Sequence, residues 1–175
     1  FKQKTAYEIM PSLVGSEMCI RDRTEEDLED ILEIEISSNP HPWTEKNFLD
    51  CIQRDYYCLI QEFNQKISGF AIQSTSLEEA HLLNIGIKEK FRRKGLGVDI
   101  LNQVIIFSES ISCRRVFLEV RVSNTKAISL YEKEGFQKVD IRKNYYRLGD
   151  GREDALIMTK KLKKDWKDFI YRRLV

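Results

Sequence analysis

Apolar residues recur along this chain with two different periods. Leu28, Ile31, Leu32 and Ile36 fall at helical spacing behind Thr24-Glu25-Glu26-Asp27. A hydroxyl followed by acids predicts a helix start at Thr24. Pro40 and Pro42 stop that helix, and Thr44 caps a second, short one with Phe48, Leu49 and Ile52 on its apolar face. The period then shortens. Tyr56–Glu62, Ile67–Thr75 and Ala80–Ile87 read as strands, with Asn64-Gln65-Lys66 turning the first into the second. Phe91-Arg92-Arg93-Lys94-Gly95-Leu96-Gly97 leads into a helix carrying Ile100, Leu101, Val104, Ile105 and Phe107. Val116–Val122 is a strongly apolar strand. Asn124 caps a helix that ends at Gly135, a residue suited to a left-handed stop. Phe136–Tyr146 and Ala155–Thr159 form a hairpin around Asp150-Gly151. Two helices, three strands, a helix, a strand, a helix and a hairpin predict one mixed α/β domain from 24 to about 162.

Composition narrows the classes. A chain of 175 residues with 42% apolar and 33% charged residues has enough material for one buried core. A formal net charge of +1 demands neither DNA nor a membrane surface. No apolar run approaches bilayer length, and we expect a cytoplasmic protein. The cysteines stand at 19, 51, 58 and 113 with no Cys-x-x-Cys pair, and His41 and His81 are distant from them in sequence. That spacing supports no metal site and no disulfide framework. Cys58 and Cys113 are readable as nucleophiles or as small buried hydrophobes, and the second role is the commoner.

The two ends stand apart from this pattern. Residues 1–23, FKQKTAYEIMPSLVGSEMCIRDR, keep no helical or strand period, and Pro11, Ser12 and Gly15 break the apolar stretch a signal peptide needs. The string resembles a translated sequencing-adapter tail, so a non-native or disordered leader is expected there. A first strand is then either missing or built from Met18–Arg23. Residues 163–175 form a basic C-terminal tail: from Lys160 onward seven basic and two acidic residues give +5. It reads as a solvated terminus, or as a patch drawn to RNA or an acidic partner.

Candidate chemistry centres on Lys88–Lys94, with five basic residues and one acid, followed by Gly95 and Gly97 and then a helix. Glycines there let backbone amides point at an anion, and the helix N-terminus adds a favourable dipole. Position 100 is Ile, so the dinucleotide Gly-x-Gly-x-x-Gly is absent, as is the Gly-x4-Gly-Lys-Ser/Thr loop. Arg92-x-x-Gly95-x-Gly97 fits a diphosphate cradle and, equally, a helix start with a solvated basic turn.

This loop, with Glu119-Val120-Arg121-Val122-Ser123-Asn124 and Ala127-Ile128-Ser129-Leu130-Tyr131-Glu132-Lys133-Glu134-Gly135-Phe136, resembles the GNAT acyltransferase superfamily. More narrowly it resembles the RimI type, the ribosomal-protein-alanine N-acetyltransferases. His41-Pro42-Trp43-Thr44-Glu45-Lys46-Asn47-Phe48, Asn84-Ile85-Gly86-Ile87 and Arg142-Lys143-Asn144-Tyr145-Tyr146 through Asp150–Ala155 carry the narrower likeness. It spans about residues 24 to 159.

The resemblance implies a mixed, mostly antiparallel central sheet splayed in the middle, with helices on both faces and acetyl-CoA in the cleft. It implies that Ile85, Gly86 and Ile87 hold the pantetheine and thioester. Arg92, Arg93, Lys94, Gly95, Leu96, Gly97 and Val98 then surround the diphosphate, Lys88, Lys90 and Arg92 offsetting the missing basic residue at Val98. Asn124 matches a cofactor contact, or is simply a helix cap. Glu119 matches the general base; read from the strand alone it is a surface acid paired with Arg121, while apolar neighbours would raise its pKa. Tyr131 matches the general acid, or packs as an aromatic. Trp43, Tyr145 and Tyr146 flank the acceptor groove, or belong to the core. The implied reaction is direct transfer to a protein N-terminal amine, on the N-terminal alanine of a small-subunit ribosomal protein. The alternatives are a GNAT enzyme for a polyamine or antibiotic, with Asp150, Glu153 and Asp154 holding the polycation, and a non-catalytic CoA-binding module. A nucleic-acid-binding domain is a further alternative, resting on the basic tail. Oligomeric state is left open by the sequence.

Overall fold

The computed structural model describes residues 18–162. Residues 1–17 and 163–175, and with them most of the expected leader and tail, lie outside the described residues. The elements are β1 (Met18–Asp22), α1 (Leu28–Ser38), α2 (Glu45–Gln53), β2 (Tyr57–Phe63), β3 (Lys66–Ser76), β4 (Glu79–Ile87), α3 (Leu96–Ser110), β5 (Arg115–Arg121), α4 (Thr125–Lys133), β6 (Gln137–Leu148) and β7 (Gly151–Lys161). Single 3-10 turns occupy Glu25–Asp27 and Glu89–Phe91. Seven strands form one sheet in the order β1-β2-β3-β4-β5-β7-β6. Pairs β1–β2, β2–β3, β5–β7 and β6–β7 are antiparallel. β4 and β5 are parallel, with a register from Glu79↔Arg115 to Leu82↔Leu118. The expected mixed α/β class, with a mostly antiparallel, open sheet and helices around it, is the fold observed.

The chain divides into two compact units. Of the described residues, one holds those up to Gln73 together with Leu83–Leu101; the other holds Ser74–Leu82 and those from Asn102 onward. In the first unit, Ile31 and Ile34 of α1 and Phe48 and Cys51 of α2 bury against Ile60, Phe70 and Ile72 of β2 and β3. Phe48 meets Phe70 edge-on at 5.7 Å. Gln61, the strand neighbour of Ile60, is fully buried and donates its amide to the carbonyl of Leu96 at the start of α3, at 3.0 Å. Alternate residues of β2 thus serve opposite faces. In the second unit Val116, Leu118 and Val120 of β5 and Leu156 and Met158 of β7 are buried.

Three local expectations change. The segment expected as a non-native or disordered leader ends in a strand: Met18–Asp22 pairs with β2 from Met18↔Phe63 to Asp22↔Leu59, the second of the two possibilities for a first strand. Thr24 is not the cap of α1. It donates its N–H and hydroxyl to Asp27 Oδ2, and Asp27 is the capping position. Burial works against Asp27's charge, but Arg21 and Thr24 outweigh it and hold the carboxyl below the usual carboxylate range. Ile36 and Leu49, expected on apolar faces, are exposed, because α1 and α2 bury stripes narrower than the sequence period implied.

Candidate active site

In the first unit the turn before α3 is shaped to receive an anion. Arg93 and Gly95 hold positive φ of 62° and 85°. A Cβ at Gly95 would meet nothing within 4 Å, so glycine serves the backbone angle here rather than close packing. Among the described residues, no backbone N–H from Arg93 to Gly97 donates to a protein acceptor, whereas Val98 and Asp99 both donate to the Gly95 carbonyl. Consecutive free amides at a helix N-terminus are the physical requirement for a phosphate site. Lys90 and Lys94 sit over the Phe91 ring at 5.0 and 5.8 Å, Lys94 also 5.1 Å over Phe63.

The other basic residues are engaged. Lys88 pairs with Glu33 and Asp30, at 2.7 and 3.5 Å. Arg92 donates to the Ile87 carbonyl and to Ser38 Oγ. These two residues, expected to offset Val98, therefore brace the turn.

β4 enters the same unit through Asn84, Ile85, Gly86 and Ile87. Gly86 is there because of packing. A Cβ would lie 2.7 Å from Phe70 Cε1 and 2.9 Å from Ile34 Cγ2. Trp43 is half-buried, its ring 5.5 Å from Phe48, against the α1–α2 core.

In the second unit β5 presents Glu119 and Arg121 on one face. Leu118 and Val120, the neighbours expected to desolvate Glu119, point to the other face and pair with Met158 and Leu156. The carboxylate is half-buried and is met by Arg142 Nη1 at 3.0 Å. The Tyr145 hydroxyl also bonds to it; this bond, burial and the Glu119 charge push the phenol up. The pairing anticipated between Glu119 and Arg121 does not occur. Arg121, half-buried, pairs with the buried Glu153 at 3.2 Å and stacks 4.4 Å over the Tyr146 ring. Burial and the Glu119 charge push Tyr146 up to about 12. Tyr145 and Tyr146 lie edge-on at 5.0 Å. Tyr131 of α4 is buried with its ring 5.8 Å from Phe136, and burial, with Tyr146 nearby, raises its phenol further. Asn124 caps α4, its Oδ1 accepting from Ala127 N.

The hairpin acids are largely spoken for. Glu153 accepts from Ser123 N at 2.7 Å as well as from Arg121, and these contacts outweigh burial to hold its carboxyl below the usual range. Asp154 is bonded by Lys143 and by Asn144 N, which lower it likewise. Burial pushes Cys58 up to about 11 and raises Cys113 also, opposite to what a thiolate nucleophile needs. Among the described residues no cluster of three or more His, Cys, Asp or Glu forms a metal site, and no helix is long and apolar enough to cross a membrane.

The residue that sequence reasoning missed is Glu35. Its carboxylate is 2% exposed and accepts from Trp43 N, Asn39 and Asn84. The helical spacing could have found it: Glu35 stands seven, four and three residues after Leu28, Ile31 and Leu32, an acid on the stripe that α1 buries.

Free backbone amides at a helix N-terminus in one unit and a carboxylate–phenol cluster in the other are each compatible with group-transfer chemistry. The chain belongs to the acetyltransferase (GNAT) family, whose model matches residues 28–136. It is an N-acetyltransferase of the RimI type. It is 41% identical over 133 residues to the [ribosomal protein bS18]-alanine N-acetyltransferase of Escherichia coli strain K12, covering 76% of this chain and 90% of that protein. A putative enzyme of the same name from Bacillus subtilis is 37% identical over 141 residues, covering 79% and 92%. The crystal structure of the ribosomal-protein-S18-alanine N-acetyltransferase from Escherichia coli superposes with a TM-score of 0.79 at 36% identity, covering 86% of this chain and 97% of that one. A non-catalytic binding module is thereby set aside.

Proposed function

We propose that this enzyme moves an acetyl group from acetyl-CoA to the N-terminal amine of a protein, the N-terminal alanine of a small-subunit ribosomal protein being the acceptor. The observation that carries this reading is Glu119, a half-buried carboxylate held by Arg142 and Tyr145, while Glu153 is bound by Arg121 and Ser123 N and Asp154 by Lys143 and Asn144 N. A polyamine needs several available acids. Glu153 and Asp154 already carry cationic partners, and an α-amine, with a pKa of about 8, needs only a modest base.

Acetyl-CoA fits the first unit: the Arg93–Gly97 amides with Lys94 hold its diphosphate, Arg92 and Val98 frame the turn, and the backbone of Ile85, Gly86 and Ile87 holds the pantetheine. It supplies a thioester carbonyl. Glu119 takes a proton from the acceptor ammonium, directly or through water, and the freed amine forms the new N–C bond. Backbone amides stabilise the developing oxyanion. As the C–S bond breaks, Tyr131 delivers its proton to the sulfur. Its raised pKa keeps that proton in place through neutral pH. Asn124 supports the cofactor side, and Trp43, Tyr145 and Tyr146 line the acceptor side.

The deciding experiment is acetyl-CoA consumption with alanine-starting peptides, N-terminally blocked lysine peptides and polyamines. Transfer to free N-termini alone is expected. Transfer to polyamines alone would overturn the substrate class.

A further inference from the structure

A buried carboxylate with no cationic partner is expensive unless hydrogen bonds replace its lost hydration. Glu35 is such a group, and among the described residues no cation pairs with it. Its two oxygens divide the work. Oε1 accepts from Trp43 N at 2.9 Å and Asn39 Nδ2 at 3.1 Å; Oε2 accepts from Asn84 Nδ2 at 3.2 Å. Asn39 in turn accepts from His41 N at 3.1 Å, so the loop from Asn39 to Trp43 is wrapped around one side of the carboxylate. The other side holds the strand residue just ahead of Ile85-Gly86-Ile87. One helical turn on, Ser38 accepts from Arg92, which also holds the Ile87 carbonyl.

We propose that Glu35 is a positioning residue for acyl transfer: its buried carboxylate locks the acceptor-side loop Asn39–Trp43 to the donor-side strand at Asn84. The inference rests on the acyl-transfer reading above and adds to it the element that registers acceptor against donor. An apolar side chain would fill the same space at lower desolvation cost but would release both contacts. A misplacement of about 1 Å costs about 100-fold in rate.

The test uses the full chain and whichever acceptor the wild type takes, free N-terminus or small amine, so a wrong acceptor class does not decide it. Asn84→Asp sets two carboxyl groups face to face, and we expect kcat/KM to fall about 100-fold. Adding Glu35→Gln rebuilds an N–H···O contact with donor and acceptor exchanged, and most of the loss returns. Asn39→Ala, which touches the loop side alone, raises the acceptor KM about 10-fold and leaves the acetyl-CoA KM at the wild-type value. A purely structural role would instead lower melting temperatures and leave both KM values of the folded fraction unchanged. The proposal is overturned by a double variant no better than Asn84→Asp. It is equally overturned by Asn39→Ala moving both KM values together, or neither.

Discussion

Arg142 reaches Glu119 across an intervening strand, Nη1 to Oε1 at 3.0 Å, because the residue between them is small. Ala155 of β7 is fully buried and lies in register with Arg121 of β5 on one side and Arg142 of β6 on the other. Directly paired residues share a face, so three side chains compete for that space, and a methyl group leaves room for two guanidinium groups. Ala155→Leu should therefore cost about 1–3 kcal/mol of stability by overpacking. It should also lower kcat/KM by separating Arg142 from Glu119. Urea unfolding and an acetyl transfer assay read the two effects. Unchanged activity in a folded variant would remove Arg142 from the acceptor site.

Glu119→Gln keeps the shape of the side chain and removes its basicity. At neutral pH the acceptor amine is mostly protonated, and loss of a general base should lower kcat about 100- to 10,000-fold. Above pH 9 an α-amine with a pKa of about 8 is already free, so the deficit should shrink there. A pH profile from 6 to 10 checks this; full activity at pH 7 would exclude the base role.

Tyr131→Phe removes a buried hydroxyl whose raised pKa keeps it protonated in the working range. The expected loss in kcat is about 100-fold or more with acetyl-CoA. With an aryl thioester donor, whose leaving thiolate is a weak base, the loss should largely disappear. Equal losses with both donors would assign Tyr131 to packing with Phe136 alone.

Much of the fold was legible because its signals are local. The apolar stripe of α3, the Asn124 cap and the Gly135 stop are each properties of a few adjacent residues, and each occurs where the pattern placed it; the hairpin turn falls one residue earlier than expected, on Gly149-Asp150, with Gly151 opening β7. The family likeness marked Glu119, Tyr131 and the Arg92–Val98 turn as a set. What was not legible is pairing across the chain. The local pattern offers Arg121 as a partner for Glu119, yet a strand two places away supplies Arg142 and leaves Arg121 to Glu153. Glu35 was half legible: its spacing from Leu28, Ile31 and Leu32 puts it on the buried stripe, but the Asn84 amide that bonds it lies 49 residues on. Gly86 looked like a motif residue, but its need for no side chain comes from Phe70 and Ile34.

Glu153 should reveal itself in the pH dependence of stability. Its carboxyl is held below the usual range by Ser123 and Arg121, so its folded pKa lies under the unfolded value of about 4.3. Such a group adds stability above the unfolded pKa and loses it as pH falls through the folded one. Glu153→Gln leaves the half-buried Arg121 without its counter-charge and should cost about 1–3 kcal/mol near pH 7. The gap between wild type and variant should hold from pH 7 down to about 5, then narrow as the wild-type carboxyl takes up its proton. Urea unfolding at intervals between pH 3 and 7 measures the gap. A difference that stays constant across this range would mean that the hydrogen bonds to Ser123 and Arg121, and not the charge, are what Glu153 contributes.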